Sequence, residues 1–133
     1  MDKRQLMTAF NNHLMEFCQD VIKIFPENYD LQTAYKFLEG LKKINPKKII
    51  ELWYQKIYLK YKEEIANNDF AFFEDKDYKG DFDPTNSVTT RILTVINQFR
   101  SSVKNSSIEN KMKALKYGQN LNKLCEFYFD KTS

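Results

Sequence analysis

The stretch Asn45-Pro-Lys-Lys-Ile-Ile-Glu-Leu-Trp-Tyr-Gln-Lys-Ile-Tyr-Leu-Lys-Tyr-Lys-Glu-Glu-Ile65 decides the fold. Asn45 has N-cap chemistry, and Pro46 suits a first helical position, where a fixed φ helps and an N–H is not needed. Ile49, Ile50, Trp53, Ile57, Tyr61 and Ile65 then follow at three- and four-residue steps, which places them on one helix face. Tyr54 and Tyr58 widen that face, while Leu52 and Leu59 lie off it. A helix apolar over so much of its circumference is packed from several sides. It is therefore expected at the centre, with the rest of the chain gathered around it.

Working outward, the same periodicity predicts four more helices. Leu6, Phe10, Leu14, Phe17, Val21 and Ile24 form a stripe over roughly residues 2–25, closed by Pro26, with Met7, Met15, Cys18, Ile22 and Phe25 beside it. Asp30 is read as the cap of a second helix, whose inner side carries Leu31, Ala34, Tyr35, Leu38 and Leu41. Beyond Asn67-Asn68, the segment Asp69-Phe-Ala-Phe-Phe-Glu74 is too short for an independent element. It is predicted to be a helical turn that plugs Phe70 and Phe73 into the core. Val88, Ile92, Val95, Ile96, Phe99 and Val103 mark a fourth main helix. Ser106 and Glu109 are read as a capping box that opens the last one, which carries Ile108, Met112, Leu115, Leu121, Leu124 and Tyr128. Gly118 in its middle predicts close packing or a bend.

Composition agrees with this all-α reading. The 133 residues suffice for one domain, spanning 1–133, with a single core, and 42% of them are hydrophobic, too many for a disordered chain. Three Gly and three Pro leave little material for a turn-rich β fold. The expected architecture is a compact bundle of about five helices with one acidic loop. No apolar run approaches the length of a membrane span, and the N-terminal residues lack the apolar core of a secretory signal. The two cysteines, Cys18 and Cys125, match no metal or redox spacing and are read as buried reduced thiols, which places the chain outside the secretory route.

The net charge of +3 hides a segregated distribution. Ala34 to Lys62 holds eight lysines and two acids; Glu63 to Asp83 holds eight acids and two lysines; from Pro84 onward eight basic residues face three acidic ones. Blocks of this kind suit contacts with charged partners. Two groups are the candidate partner-binding residues: Lys42, Lys43, Lys47 and Lys48, which bracket a helix junction and can meet an acidic neighbour, and Asp75, Asp77 and Asp81, which can meet a basic one.

Chemical motifs are scarce. The segment from Asp75 to Asn86 aligns in part with a calcium loop, with acids at its first, third and ninth positions and Gly80 at its sixth. Lys79 stands at the fifth position, where an oxygen ligand is required, and Asn86 at the twelfth, where a bidentate carboxylate is required. No metal site is assigned. His13, the single histidine, lies about 140° around its helix from Cys18, so the two do not form a nucleophile–base pair on one face. There is no glycine-rich phosphate loop. No catalytic residue and no cofactor is assigned, and the chain is read as non-enzymatic. Lys56, Lys60 and Lys62, interleaved with tyrosines, extend the basic block in a way that suits phosphate binding, but base readers usually exploit arginine, of which there are only three.

Phe10-Asn-Asn-His-Leu-Met-Glu-Phe17, Asn45-Pro-Lys-Lys-Ile-Ile-Glu-Leu-Trp53 and Asp69-Phe-Ala-Phe-Phe-Glu-Asp-Lys-Asp-Tyr78 together resemble a family of small uncharacterised proteins of nucleocytoplasmic large DNA viruses that infect algae and other protists. The resemblance covers the N-terminal part of the chain, through Tyr78. The family supplies no established catalytic or ligand residues to carry over. It implies a context: a virion component, assembled in the host cytoplasm, acting as a minor capsid protein that cements or supports major capsid proteins. The alternative is a basic nucleic-acid-binding accessory protein in viral DNA packaging or replication.

Overall fold

A computed structural model of the chain describes residues 1–74 and 87–130. It is all-α. In chain order the helices are α1 (Lys3–Ile24), α2 (Tyr29–Ile44), α3 (Pro46–Trp53), a π-helical turn (Tyr54–Tyr58), α4 (Leu59–Ala66), the short α5 (Ala71–Glu74), α6 (Ser87–Lys104) and α7 (Ile108–Asp130). Helix α3, the π turn and α4 run on without a break. They form the expected central rod.

The π turn has a geometric reason. Trp53, Ile57, Tyr61 and Ile65 stand four residues apart, and in a regular helix each such step drifts about 40° around the axis. A wider turn rotates each residue by less, so a step within it lags where an α-helical step overshoots, and the two offset along the stripe from Trp53 to Ile65. The backbone N–H of Leu59 accordingly donates to Tyr54 O, five residues back. Leu52, read as off the stripe, is buried along with Ile49, Ile50 and Trp53, because neighbours cover the rod on more than one side; Leu59 remains exposed.

Around the rod, α1 and α7 lie antiparallel. Lys3 Nζ sits 4.8 Å from the centroid of the Tyr128 ring at one end, and the Phe17 and Tyr117 rings are 5.5 Å apart toward the other. Phe10 of α1 meets Trp53 edge-on at 5.9 Å. Gly118 of α7 is buried against Ile65, so the close packing expected there is present. Arg91 of α6 covers the Phe37 ring of α2 at 4.3 Å. One core cluster joins all these helices.

Two helix ends and one core turn correct expectations. Helix α2 is capped by Asn28, whose side chain accepts from Leu31 N, while Asp30 falls inside the first turn. Helix α7 is capped by Ser107, whose Oγ accepts from Asn110 N at 3.1 Å; Ser106 instead donates to Val103 O at 2.6 Å and closes α6. In the turn of α5 the deeply buried pair is Phe72 and Phe73, with Phe70 only partly covered. A capping box does occur, but on α1: Gln5 N donates to Asp2 Oδ1 at 2.8 Å and Asp2 N to Gln5 Oε1 at 2.9 Å.

Candidate interaction surface

The lysines singled out by charge surround one built corner. Helix α2 ends at Ile44, where Asn45 N donates to Leu41 O at 2.7 Å, and the chain turns directly into α3 at Pro46. Asn45 O accepts from Lys48 N at 3.2 Å, but its side chain makes no cap hydrogen bond, so the expected Asn45 cap is positional only. From behind, the buried Asn11 of α1 donates through Nδ2 to Pro46 O at 3.1 Å. Proline fixes one backbone angle, and these hydrogen bonds hold the turn on both sides.

Lys42, Lys43, Lys47 and Lys48 flank this turn. Lys43 and Lys47 are exposed, while Lys42 and Lys48 are half-buried. Lys42 Nζ reaches Asn12 Oδ1 of α1 at 3.4 Å. None of the four forms a salt bridge with a described carboxylate; the contact between a basic and an acidic side chain seen among the described residues is that of His13 Nδ1 with Glu16 at 3.7 Å. Between the two lysine pairs stands Ile44, 84% exposed. Sequence periodicity hides this residue, because a three-residue step from Leu41 places it where an inward side chain would be expected.

The remaining lysines of the basic block are arranged differently. Lys60 lies 5.3 Å from the Tyr61 ring centroid and Lys62 lies 5.7 Å from that of Tyr58. Tyr54 and Tyr58 stack at 5.4 Å with an interplanar angle of 14°, and Tyr54 also packs on Phe129 at 4.2 Å. These tyrosines cover the core rather than stand free for a base to stack on. Asp75, Asp77 and Asp81, and with them the whole calcium-loop alignment from Asp75 to Asn86, lie outside the described residues.

The ionisable groups of the interior are arranged for packing. Cys18 and Cys125 are free and buried. Burial pushes the Cys18 thiol well above its ordinary value and lifts that of Cys125 to about 12, so both hold their protons and are poor nucleophiles. Cys125 donates weakly to Ile50 O at 3.9 Å. His13 faces the Tyr117 ring at 4.8 Å, and Tyr117 donates its hydroxyl proton to Asp20. Among the described residues no group of three or more His, Cys, Asp or Glu is placed to hold a metal ion, and none of the described helices is long and apolar enough to cross a membrane. No protein-family model matches the chain, and no curated protein or solved structure matches it.

Proposed function

We propose that this chain is a non-enzymatic structural protein of a large DNA virus, a minor capsid component that works by surface contact. The observation that carries this reading is the α2–α3 corner: four lysines without a carboxylate partner among the described residues, set on a rigid turn around an exposed isoleucine. No described carboxylate neutralises these groups, so their charge is available to an acidic neighbour, that of the exposed Lys43 and Lys47 most directly. Tyr29 and Phe127, both exposed, supply the aromatic surface on which protein contacts usually anchor. Rim charges then set encounter and orientation. The virion context rests on the sequence resemblance in the three segments quoted above.

The test has two arms. Mass spectrometry of purified particles against infected-cell extract should find the chain enriched in the particles. Reversal of Lys42, Lys43, Lys47 and Lys48 to Glu should leave the isolated protein folded yet lower its copy number in particles. A chain absent from particles sinks the virion assignment, and normal incorporation of the reversed variant removes the corner from the docking surface. The second reading, a nucleic-acid accessory, is favoured by the same lysines; it wins if the wild-type protein binds duplex DNA at physiological salt and the reversed variant does not.

A further inference from the structure

We infer that the acidic neighbour met by the α2–α3 corner is the headgroup layer of an anionic membrane, on which Ile44 seats as an apolar tip flanked along the chain by the exposed Lys43 and Lys47. The inference rests on the corner being a contact surface, as proposed above, and adds the chemistry of what it contacts.

Shape is the first argument. Ile44 is the terminal residue of α2 and stands 84% exposed where the chain reverses into α3 at Pro46. The turn is braced by Asn11 Nδ2 on Pro46 O and by Asn45 N on Leu41 O. A large aliphatic side chain is thus left outward at a hydrogen-bonded corner. A protruding tip suits a broad, deformable surface.

Composition of the rim is the second. Four of the seven residues from Lys42 to Lys48 are lysines, and none is arginine. Protein interfaces are depleted in lysine and enriched in arginine, whose planar fork pairs carboxylates two bonds at a time. A headgroup layer asks for no such fork: it offers diffuse negative charge that point charges on flexible stems follow well. The stems of Lys43 and Lys47 can lie along the apolar boundary while their ammonium groups stay among the phosphates.

Ile44 itself is the third. A duplex phosphate ribbon gives an isoleucine side chain nothing to gain, whereas the acyl boundary of a bilayer takes it out of water. Lysines and an aliphatic tip at one spot therefore fit an anionic lipid surface better than a nucleic acid. Such contact is peripheral and reversible, in keeping with the absence of a membrane-spanning helix among the described residues.

The test is sedimentation of the purified chain with phosphatidylcholine vesicles, with and without phosphatidylserine. Binding should require phosphatidylserine and weaken as salt is raised. Lys43→Gln with Lys47→Gln should lower the partition coefficient about 25-fold, about fivefold for each charge removed from the surface. Ile44→Ser should lower it several-fold with all four lysines in place. Ile44→Trp should give a tryptophan whose emission shifts to the blue on vesicle addition and is quenched by brominated acyl chains. All these positions are exposed, so far-ultraviolet circular dichroism and the unfolding midpoint should match the wild type. Equal binding with and without phosphatidylserine overturns the inference, as does an Ile44→Trp probe that stays in water. Should vesicles not bind while lysine reversal still blocks particle incorporation, the neighbour is an acidic protein; the inference then fails and the proposed function stands. Duplex DNA binding lost in the same lysine variants, without vesicle binding, hands the corner to nucleic acid and overturns the inference as well.

Discussion

Trp53 donates its indole N–H to Oδ1 of Asn122 across 2.8 Å, joining the central rod to α7 through a hydrogen bond in which neither residue is more than 7% exposed. An unpaired indole or amide at this depth is costly, so the bond specifies how the two elements meet. Trp53→Ala should cost about 3–5 kcal/mol, the range for truncating a buried aromatic. Trp53→Phe keeps most of the apolar area but strands the Asn122 oxygen, and should cost about 1–3 kcal/mol. Urea unfolding of both variants checks the claim, and adding Asn122→Leu to Trp53→Phe should recover part of the loss. A Trp53→Ala loss under about 1 kcal/mol would place the centre of the fold elsewhere.

How much of this was readable beforehand varies by residue. Pro46 and the stripe from Ile49 to Ile65 announce the rod, because helical periodicity and proline chemistry are local. The π turn at Tyr54–Tyr58 is not local: it offsets the drift of the buried stripe from Trp53 to Ile65, a demand that only packing on that stripe imposes. Cap positions slipped by one or two residues, since Asn28 and Asp30, or Ser106 and Ser107, are equally able acceptors, and the approach of the chain decides between them. Asn122 gives no signal, for a buried polar residue looks in sequence like an exposed one. The lysines of the corner were legible as charge. Ile44 was not, because it keeps the helical rhythm up to the point where the chain turns away.

Two glycines should respond in opposite directions to the same change. At Gly40 an added Cβ meets nothing within 4 Å, so Gly40→Ala should stabilise α2 by about 1 kcal/mol through helix propensity. At Gly118 the added Cβ would stand 3.2 Å from Ile65 Cγ2, an atom fixed close to the backbone of a fully buried residue. The crowding there should outweigh the gain in propensity and leave Gly118→Ala less stable by about 1–2 kcal/mol. Thermal unfolding of the two variants side by side decides it. Stabilisation by both would mean that α4 and α7 are not in close contact at Ile65.

Arg100 ties α5 to α6. The side chain is only 3% exposed: its Nε donates to Phe72 O at 3.2 Å, Nη2 donates to the same oxygen, and Nη1 donates to Asn97 Oδ1 at 3.1 Å. The guanidinium carbon also lies 4.7 Å from the Tyr61 ring centroid and 4.5 Å from that of Phe72. A lysine ammonium cannot reproduce a planar fork that bonds and stacks together. Arg100→Lys should therefore cost about 2–3 kcal/mol, as expected for lost hydrogen bonds to a buried charge. Hydrogen exchange should quicken at the Phe73 amide, which bonds Phe70 O at 2.9 Å, before it does so in α1. Unchanged exchange at Phe73 would remove Arg100 from its anchoring role.

The last expectation concerns alkaline pH. Burial, followed by the hydrogen bond to Glu126, raises the Tyr58 hydroxyl from 10.0 to about 12. The hydrogen bond to Asp20, followed by burial, raises Tyr117 from 10.0 to about 12. Burial raises Cys125 from 9.0 to about 12 and raises Cys18 as well. Each group is held in its neutral, protonated form by the fold, so the folded chain keeps protons that the unfolded chain releases. The stability they contribute is complete below the unfolded values and is lost as pH rises through the folded ones. The urea midpoint should stay level with respect to these groups up to about pH 9, begin to fall as unfolded thiols ionise, and fall faster between about pH 10 and 12 as unfolded tyrosines follow. Burial raises Tyr128 as well, so Tyr58→Phe with Tyr117→Phe removes two of the tyrosine contributions and should flatten the upper part of that fall, leaving the thiol part and that of Tyr128 in place. An unchanged slope in the double variant would mean that neither hydroxyl is held by its carboxylate partner in solution.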